Sequence, residues 1–234
     1  MYKIVSDTHT GNATDKWKHS LEFYNTLFET YIDKQILNIL ELGCQNCGHV
    51  EIMDKVFYNA NIFGVDMNPK IQNIKNTNNV KLIHENAHNW RSVISKCGQN
   101  TFDIIIEDCC HKWDVVQSLF IIYFIMFVSP GGVYVIENSQ ASYDNNFGRH
   151  NPKTKSTMDF FKNVIDIIHT PFREGVQFEK KQDLWLYNWV DSVTFHQGVI
   201  CIKKRMTERS LETKHNIIGT EFPVQRIRKT SSSQ

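Results

Sequence analysis

An α/β fold with a mostly parallel sheet follows from two apolar runs joined through a glycine turn, and from a third run further along the chain. The first reads Ile36-Leu37-Asn38-Ile39-Leu40-Glu41-Leu42-Gly43, closing on an acid and a glycine. Gly48 and a helix-like segment follow, and the second run, Asn61-Ile62-Phe63-Gly64-Val65-Asp66, ends in a carboxylate. Strand, glycine turn, helix and strand make a right-handed βαβ unit suited to a nucleotide-like ligand. The third run, Phe102 to Ile106, is Ile-rich without clean alternation, as expected of a strand buried on both faces.

Spacing separates two ligand classes. A dinucleotide site takes G-x-G-x-x-G, because a pyrophosphate sits on the helix N-terminus, and here only Gly43 and Gly48 are present. Glu41, two residues before the first glycine, would repel a pyrophosphate but suits the ammonium of an amino-acid moiety, which points to S-adenosylmethionine rather than NAD. Asp66 can accept from two ribose hydroxyls. The cofactor set expected on this basis is Glu41, Gly43, Asn46, Gly48, Asp66, Met67 and Asp108. Glu85 and Asn86 follow the short strand Val80–Ile83, where they either face an adenine or belong to an ordinary loop.

At 234 residues, 41% hydrophobic and 22% charged, the chain is long enough for one substantial core with short additions. The expected organisation is an N-terminal helical cap (1–35), a ligand-binding domain (36–204) and a basic, partly mobile tail (205–234). The net charge of +1 hides an asymmetry, since residues 203–234 carry eight Lys/Arg against Glu208, Glu212 and Glu221. The tail is therefore near +5 and the body near −4, which argues against a nucleic-acid partner. Homo-oligomerisation is left open. No charged segment leading into an apolar core opens the chain, so a cytoplasmic location is expected. The longest apolar run, Leu119 to Val128, is about half of what a bilayer-spanning helix needs, and suits a buried crossover helix. Cys44 and Cys47 have CxxC spacing but no second pair or flanking His at zinc-binding distance. Cys109 and Cys110 are adjacent and are expected to be reduced thiols.

Residues 1–12 are polar and unpatterned. Thr14 or Asp15 can cap a helix whose apolar face is Leu21, Tyr24, Leu27, Phe28 and Tyr31. Phe102–Ile106 delivers Glu107, Asp108 and His111 to the sheet's C-terminal edge. Pro130-Gly131-Gly132 is expected to turn the chain into a strand Val133–Ile136, whose end sets Glu137 and Asn138 beside Asp108. The polar run 144–156 is expected to be a mobile loop over the site. A helix from about Thr157 to His169 follows, with Met158, Phe161, Val164, Ile165 and Ile168 inward. Ser192–His196 and Val199–Ile202, joined through Gln197-Gly198, form a β-hairpin.

Glu41-x-Gly43-x-x-x-x-Gly48 followed by Asp66 resembles the first two motifs of class I methyltransferases. The likeness sharpens at Asp108-Cys109-Cys110-His111, at Pro130 to Asn138 and at Ala141-Ser142-Tyr143, which resemble the macrocin and mycinamicin type of sugar O-methyltransferase. Ala13 to Lys16 and the 190–204 hairpin are similar as well. The resemblance spans roughly residues 13–204. It implies a Rossmann-like fold with a mostly parallel seven-stranded sheet and a C-terminal antiparallel hairpin. S-adenosylmethionine would be the methyl donor and Mg²⁺ a second cofactor, held at Asp108, Glu137 and Asn138. His111 would be the base, acting with Asp108, and Tyr143, Arg149 and His150 would meet the acceptor. A hard cation on a sugar hydroxyl lowers its pKa, so that a nearby imidazole can remove the proton as the methyl group transfers. Asn138 departs from the family's carboxylate and leaves two formal ligand charges, and Cys47 stands where the family usually has a second glycine. The alternatives are transfer to another small acceptor, such as a phosphoramidate, lipid or peptide-linked hydroxyl, and a cofactor-binding module without catalysis. Turnover on any acceptor separates the last of these from the rest.

Overall fold

The structure is a computed structural model that describes residues 1–210 apart from 35, 76, 149–153, 174–176 and 179. Seven strands form one sheet: β1 (Leu37–Leu42), β2 (Ala60–Asp66), β3 (Val80–His84), β4 (Phe102–Glu107), β5 (Val128–Ile136), β6 (Val190–His196) and β7 (Val199–Lys204). Their spatial order is β3-β2-β1-β4-β5-β7-β6. The first five run parallel, whereas β7 is antiparallel to β5 and to β6. The expected class, a mostly parallel seven-stranded sheet closed by an antiparallel hairpin, is the one found.

Alternation along each strand feeds two apolar layers. On one face Leu40, Leu42, Phe102, Ile105 and Tyr134 pack under Phe120 and Phe124 of α5 (Trp113–Phe127), Phe161 of α6 (Thr157–Ile168) and Leu186 of α7 (Lys181–Trp189). On the other, Ile39, Ile62, Ile104 and Val133 pack under α1 (Tyr2–Asp7), α2 (Lys18–Glu29) and α3 (Gly48–Val56) through Tyr2, Tyr24, Phe28, Val50 and Met53. Each such side chain removed from water contributes roughly 1.5–3 kcal/mol, which holds the sheet between its helical layers. Lys204, at the end of β7, donates to the carbonyls of Phe124, Ile125 and Val128 and so ties the C-terminal end of α5 to the hairpin.

Several boundaries differ from expectation. α2 begins at Lys18, with Trp17 in extended backbone as its N-cap and no side-chain cap, so neither Thr14 nor Asp15 caps it. The ion pairs of buried Lys16 with Glu41, Asp108 and Glu137 hold the segment before α2 at the strand ends and outweigh the cap. Pro130-Gly131-Gly132 lies inside β5, where the β4–β5 register shifts, rather than in a turn before it. Three helices had no expectation attached: α1, whose buried Tyr2 packs edge-on against Phe28, α4 (Trp90–Cys97) and α7. α6 buries Ile167 where Ile165 was expected, and Ser156 caps it by accepting from the Asp159 N–H. Among the described residues no helix is long and apolar enough to cross a membrane.

Candidate functional site

Strand order reverses beside β1, with β2 and β3 on one side and β4 and β5 on the other, so a crevice opens at the C-terminal ends of β1 and β4. Gly43 ends β1 there with φ +89, and a Cβ on it would stand 2.3 Å from the Asp108 carbonyl oxygen. Only glycine lets the two strand ends come this close. The crevice holds a cavity of about 400 Å³, within the usual range for small-ligand sites, lined by Gly43, Gln45, Asp66, Met67, Glu85, Asn86 and Asp108 with apolar walls from Val65, Ala87, Val115 and Leu119. The Asp66 carboxylate is aimed by two backbone donors, Gln45 N–H and Asn68 N–H, each at 2.8 Å.

Six of the expected cofactor residues therefore share one cavity, and three do not line it. Asn46 is exposed outside it. Gly48 is a glycine because the carbonyl of Asn12 would lie 2.2 Å from its Cβ: it seats the N-terminal segment rather than the ligand. Glu41, only 1% exposed, is turned behind the glycine loop, where its Oε1 accepts from Lys16 at 3.2 Å and meets His49 Nδ1 at 2.9 Å. Burial alone would raise the Glu41 carboxyl, but His49 and Lys16 overcome it and hold the group at about 2. Glu85 accepts from Asn86, Asn89, Ser92 and Lys96 and so also anchors the start of α4, with the Ser92 hydroxyl foremost in holding its carboxyl well below the usual range.

A second cavity, of about 610 Å³, adjoins the first and shares Gln45 and Asp108 with it. Its lining includes Asp15, Lys16, Trp17, His111, Asn138, Gln140, Asp144 and Phe147. Tyr143, expected to meet the acceptor, is 75% exposed and lines neither cavity; the aromatic residues in the second cavity's lining are Trp17 and Phe147. Arg149 and His150 lie outside the described residues, as does 149–153 of the expected loop.

Between the cavities sits a charge cluster the sequence does not announce. Lys16 Nζ donates to Asp108 Oδ2 at 2.7 Å, Glu137 Oε1 at 2.6 Å and Glu41 Oε1 at 3.2 Å, and the lysine side chain is 4% exposed. Tyr24 donates to the same Glu137 oxygen at 2.7 Å. Burial disfavours the ammonium, yet the three carboxylates around it raise it well above the ordinary lysine range. Burial raises Glu137, with Lys16 opposing, and raises Glu107 beneath it to about 8. Among the described residues Glu41, His49 and Glu137 also form a buried His/carboxylate group of metal-binding type.

Asn138 and His111 both adopt left-handed backbone, with φ of 54 and 57, which aims their side chains at Asp108. Trp17 Nε1 can only donate, so the Asn138 atom 2.9 Å from it is the carbonyl Oδ1. Gln140 also donates to that oxygen at 3.0 Å. Asn138 Nδ2 then donates to Asp108 Oδ1 at 2.9 Å and faces His111 Nε2 at 3.3 Å, which assigns the lone pair to Nε2. Asn138 thus presents its amide nitrogen, not a ligand oxygen, to the position where a metal was expected, because Trp17 and Gln140 claim the oxygen. Burial lowers His111 below its ordinary range, with Asp108 pulling it up and Lys16 pushing it down, so the ring is neutral near pH 7. A neutral imidazole in the second cavity, with Nε2 3.8 Å from Asp108 Oδ1, can take a proton from a bound hydroxyl.

The fold and its switch-point crevice are those of the Rossmann-like class I methyltransferases. The chain is similar to the 8-demethyl-8-alpha-L-rhamnosyl tetracenomycin-C 2'-O-methyltransferase of Streptomyces olivaceus, with 23% identity over 209 residues that make up 83% of this chain and 53% of that protein. Among solved structures it is similar to the MycE methyltransferase of the mycinamycin biosynthetic pathway in complex with Mg and SAH, at TM-scores of 0.63 and 0.65 in two crystal forms and 21% identity. That likeness covers 79% of this chain and 49% or 48% of MycE, and a further MycE complex also holds Mycinamycin VI. The likeness to the macrocin and mycinamicin type, first carried by the motifs, is thus matched in sequence and in fold. The chain spans about half the length of these relatives. No protein-family model matches the sequence.

Proposed function

We propose that the chain is an S-adenosylmethionine-dependent O-methyltransferase that methylates a hydroxyl of a sugar or sugar conjugate. The observation that carries this reading is the position of His111 Nε2 beside Asp108, one of the two residues common to both cavities. The methyl donor takes the crevice, with its ribose on Asp66 and its adenosine against Val65, Ala87 and Leu119. The acceptor takes the second cavity, where Asp15, Gln140 and Asp144 offer polar partners and Trp17 and Phe147 offer flat apolar faces. His111 removes the hydroxyl proton at Nε2 as the methyl group transfers, and proximity of donor and acceptor across Asp108 supplies the orientation.

The carboxylates of Asp108 and Glu137 converge on one cation position, where the Lys16 ammonium stands in, so their hard oxygen donors suit Mg²⁺. When bound there, the ion would supply a Lewis acid for the acceptor hydroxyl. The reading includes a cytoplasmic location, supported by six free thiols, and an acceptor that is not a nucleic acid, supported by the acidic body.

Transfer of a labelled methyl group to a panel of deoxysugar and sugar-nucleotide acceptors tests the reading. His111→Ala should lose roughly 100-fold or more in turnover, the usual contribution of a general base, while calorimetry shows S-adenosylhomocysteine still bound. Failure of the wild type both to bind S-adenosylhomocysteine and to methylate any acceptor would sink the proposal.

A further inference from the structure

The ammonium of Lys16 is delivered to its place rather than left there. Asn12 pins the preceding segment to α3 by donating to both carboxylate oxygens of Glu51, at 2.8 and 2.7 Å, and Gly48 clears the space that segment runs through. The stretch that follows sets Lys16 at the ends of β1, β4 and β5, where Nζ lies within 2.7 Å of an oxygen from Asp108 and another from Glu137.

We propose that Lys16 is the resident cation of this site, and that its ammonium and a divalent ion exclude one another at the Asp108–Glu137 pair, so that an ion enters only as Lys16 withdraws toward Glu41. Mg²⁺ needs oxygens at about 2.0–2.1 Å, and an ion bridging the lone pairs that now face Nζ would share the volume of the ammonium and its charge sign. The third position offers no compensation, since Asn138 is neutral and turns its N–H groups toward Asp108. A second seat for the ammonium is already built. Glu41 accepts from Lys16 at 3.2 Å through Oε1, while its Oε2, in a residue 1% exposed, has no hydrogen-bond partner among the described residues. Withdrawal of Lys16 would satisfy that oxygen and free the Asp108 and Glu137 oxygens together. The inference stands on the carboxylate geometry alone and does not depend on which acceptor the protein methylates.

Mn²⁺ serves as the probe, titrated into the full chain and followed by electron paramagnetic resonance, with wild type, Lys16→Met and Lys16→Arg compared. Lys16→Met should bind Mn²⁺ at least about tenfold more tightly than wild type, because a competing cation has gone, and Lys16→Arg should bind no more tightly than wild type. Equal or weaker Mn²⁺ binding by Lys16→Met overturns the proposal. Since that variant could also loosen the N-terminal segment, diffraction from Mn²⁺-soaked wild-type crystals gives an independent arm. The anomalous peak should come with Nζ moved off both carboxylates; a bound ion with Nζ still hydrogen-bonded to Asp108 and Glu137 rules out exclusion. Calorimetry with S-adenosylhomocysteine on the same proteins keeps this outcome apart from any failure of the methyltransferase reading.

Discussion

Trp17 and His111 are coupled through a single amide: the indole N–H holds Asn138 Oδ1 at 2.9 Å, and the same amide directs Nδ2 to His111 Nε2 at 3.3 Å. An indole nitrogen never accepts, so it fixes which way the amide faces, and the amide in turn fixes which imidazole nitrogen keeps its lone pair. Asn is suited to this position in a way Asp is not. A carboxylate could accept from Trp17 but could not donate to Asp108, and without a cation between them the two acids would repel.

Trp17→Phe keeps a flat ring in the acceptor cavity and removes only the donor. Turnover should fall by roughly 3- to 10-fold, the equivalent of one hydrogen bond, with the acceptor KM little changed. The ¹⁵N shifts of His111 should move toward a mixture of tautomers. An unchanged tautomer with an unchanged rate would show that the relay has no hold on the base.

Much of the fold was legible because it rests on periodicity and glycine. The runs ending in Gly43 and Asp66, the Ile-rich β4 and the Gln197-Gly198 turn each carry their structural reason within a few residues. The Asp108, His111, Glu137 and Asn138 constellation was legible through its motifs. The role of Lys16 was not, although Ala13 to Lys16 shared in the resemblance, since its partners lie 25, 92 and 121 residues away. Its neighbour Trp17 was hidden for the same reason. Glu41 looked like a ligand for the cofactor's ammonium because the acid-x-Gly spacing says nothing of the Lys16 and His49 that meet it from other elements. Gly48 looked like a cofactor glycine, although its lack of a side chain serves the Asn12–Ala13 backbone.

Asp66 carries the cofactor prediction. Its two oxygens each accept one backbone N–H, which orients the carboxylate at the mouth of the crevice and leaves further lone pairs for ribose hydroxyls. Asp66→Ala should weaken S-adenosylhomocysteine binding by about 1–3 kcal/mol, the usual worth of hydrogen bonds to a charged acceptor. Calorimetry measures this directly. Wild-type affinity in the variant, or tighter binding of NAD than of S-adenosylhomocysteine by the wild type, would mean that the crevice serves another ligand.

Cys97 should make stability depend on alkaline pH. It closes α4 beneath the sheet and is 6% exposed, and burial pushes its thiol up to about 12, with Lys81 opposing. In the unfolded chain the thiol returns to its ordinary value near 9. Between these values the unfolded state has given up the proton and the folded state has kept it. The unfolded state therefore binds fewer protons, and stability falls as pH rises. The contribution is fully present below pH 9 and is lost progressively toward pH 12. At one pH unit above the unfolded value the loss is about 1.4 kcal/mol, which in a chain of this size is roughly 3–6 °C in Tm. Thermal unfolding of wild type and Cys97→Ala at pH 7.5 and pH 10 measures it, since the variant removes this thiol and leaves the other titrating groups in place. The wild type should lose more stability than the variant across that interval. Parallel losses would mean that Cys97 is ionised as easily in the folded protein as in the unfolded chain, and that α4 opens to water before the rest of the fold.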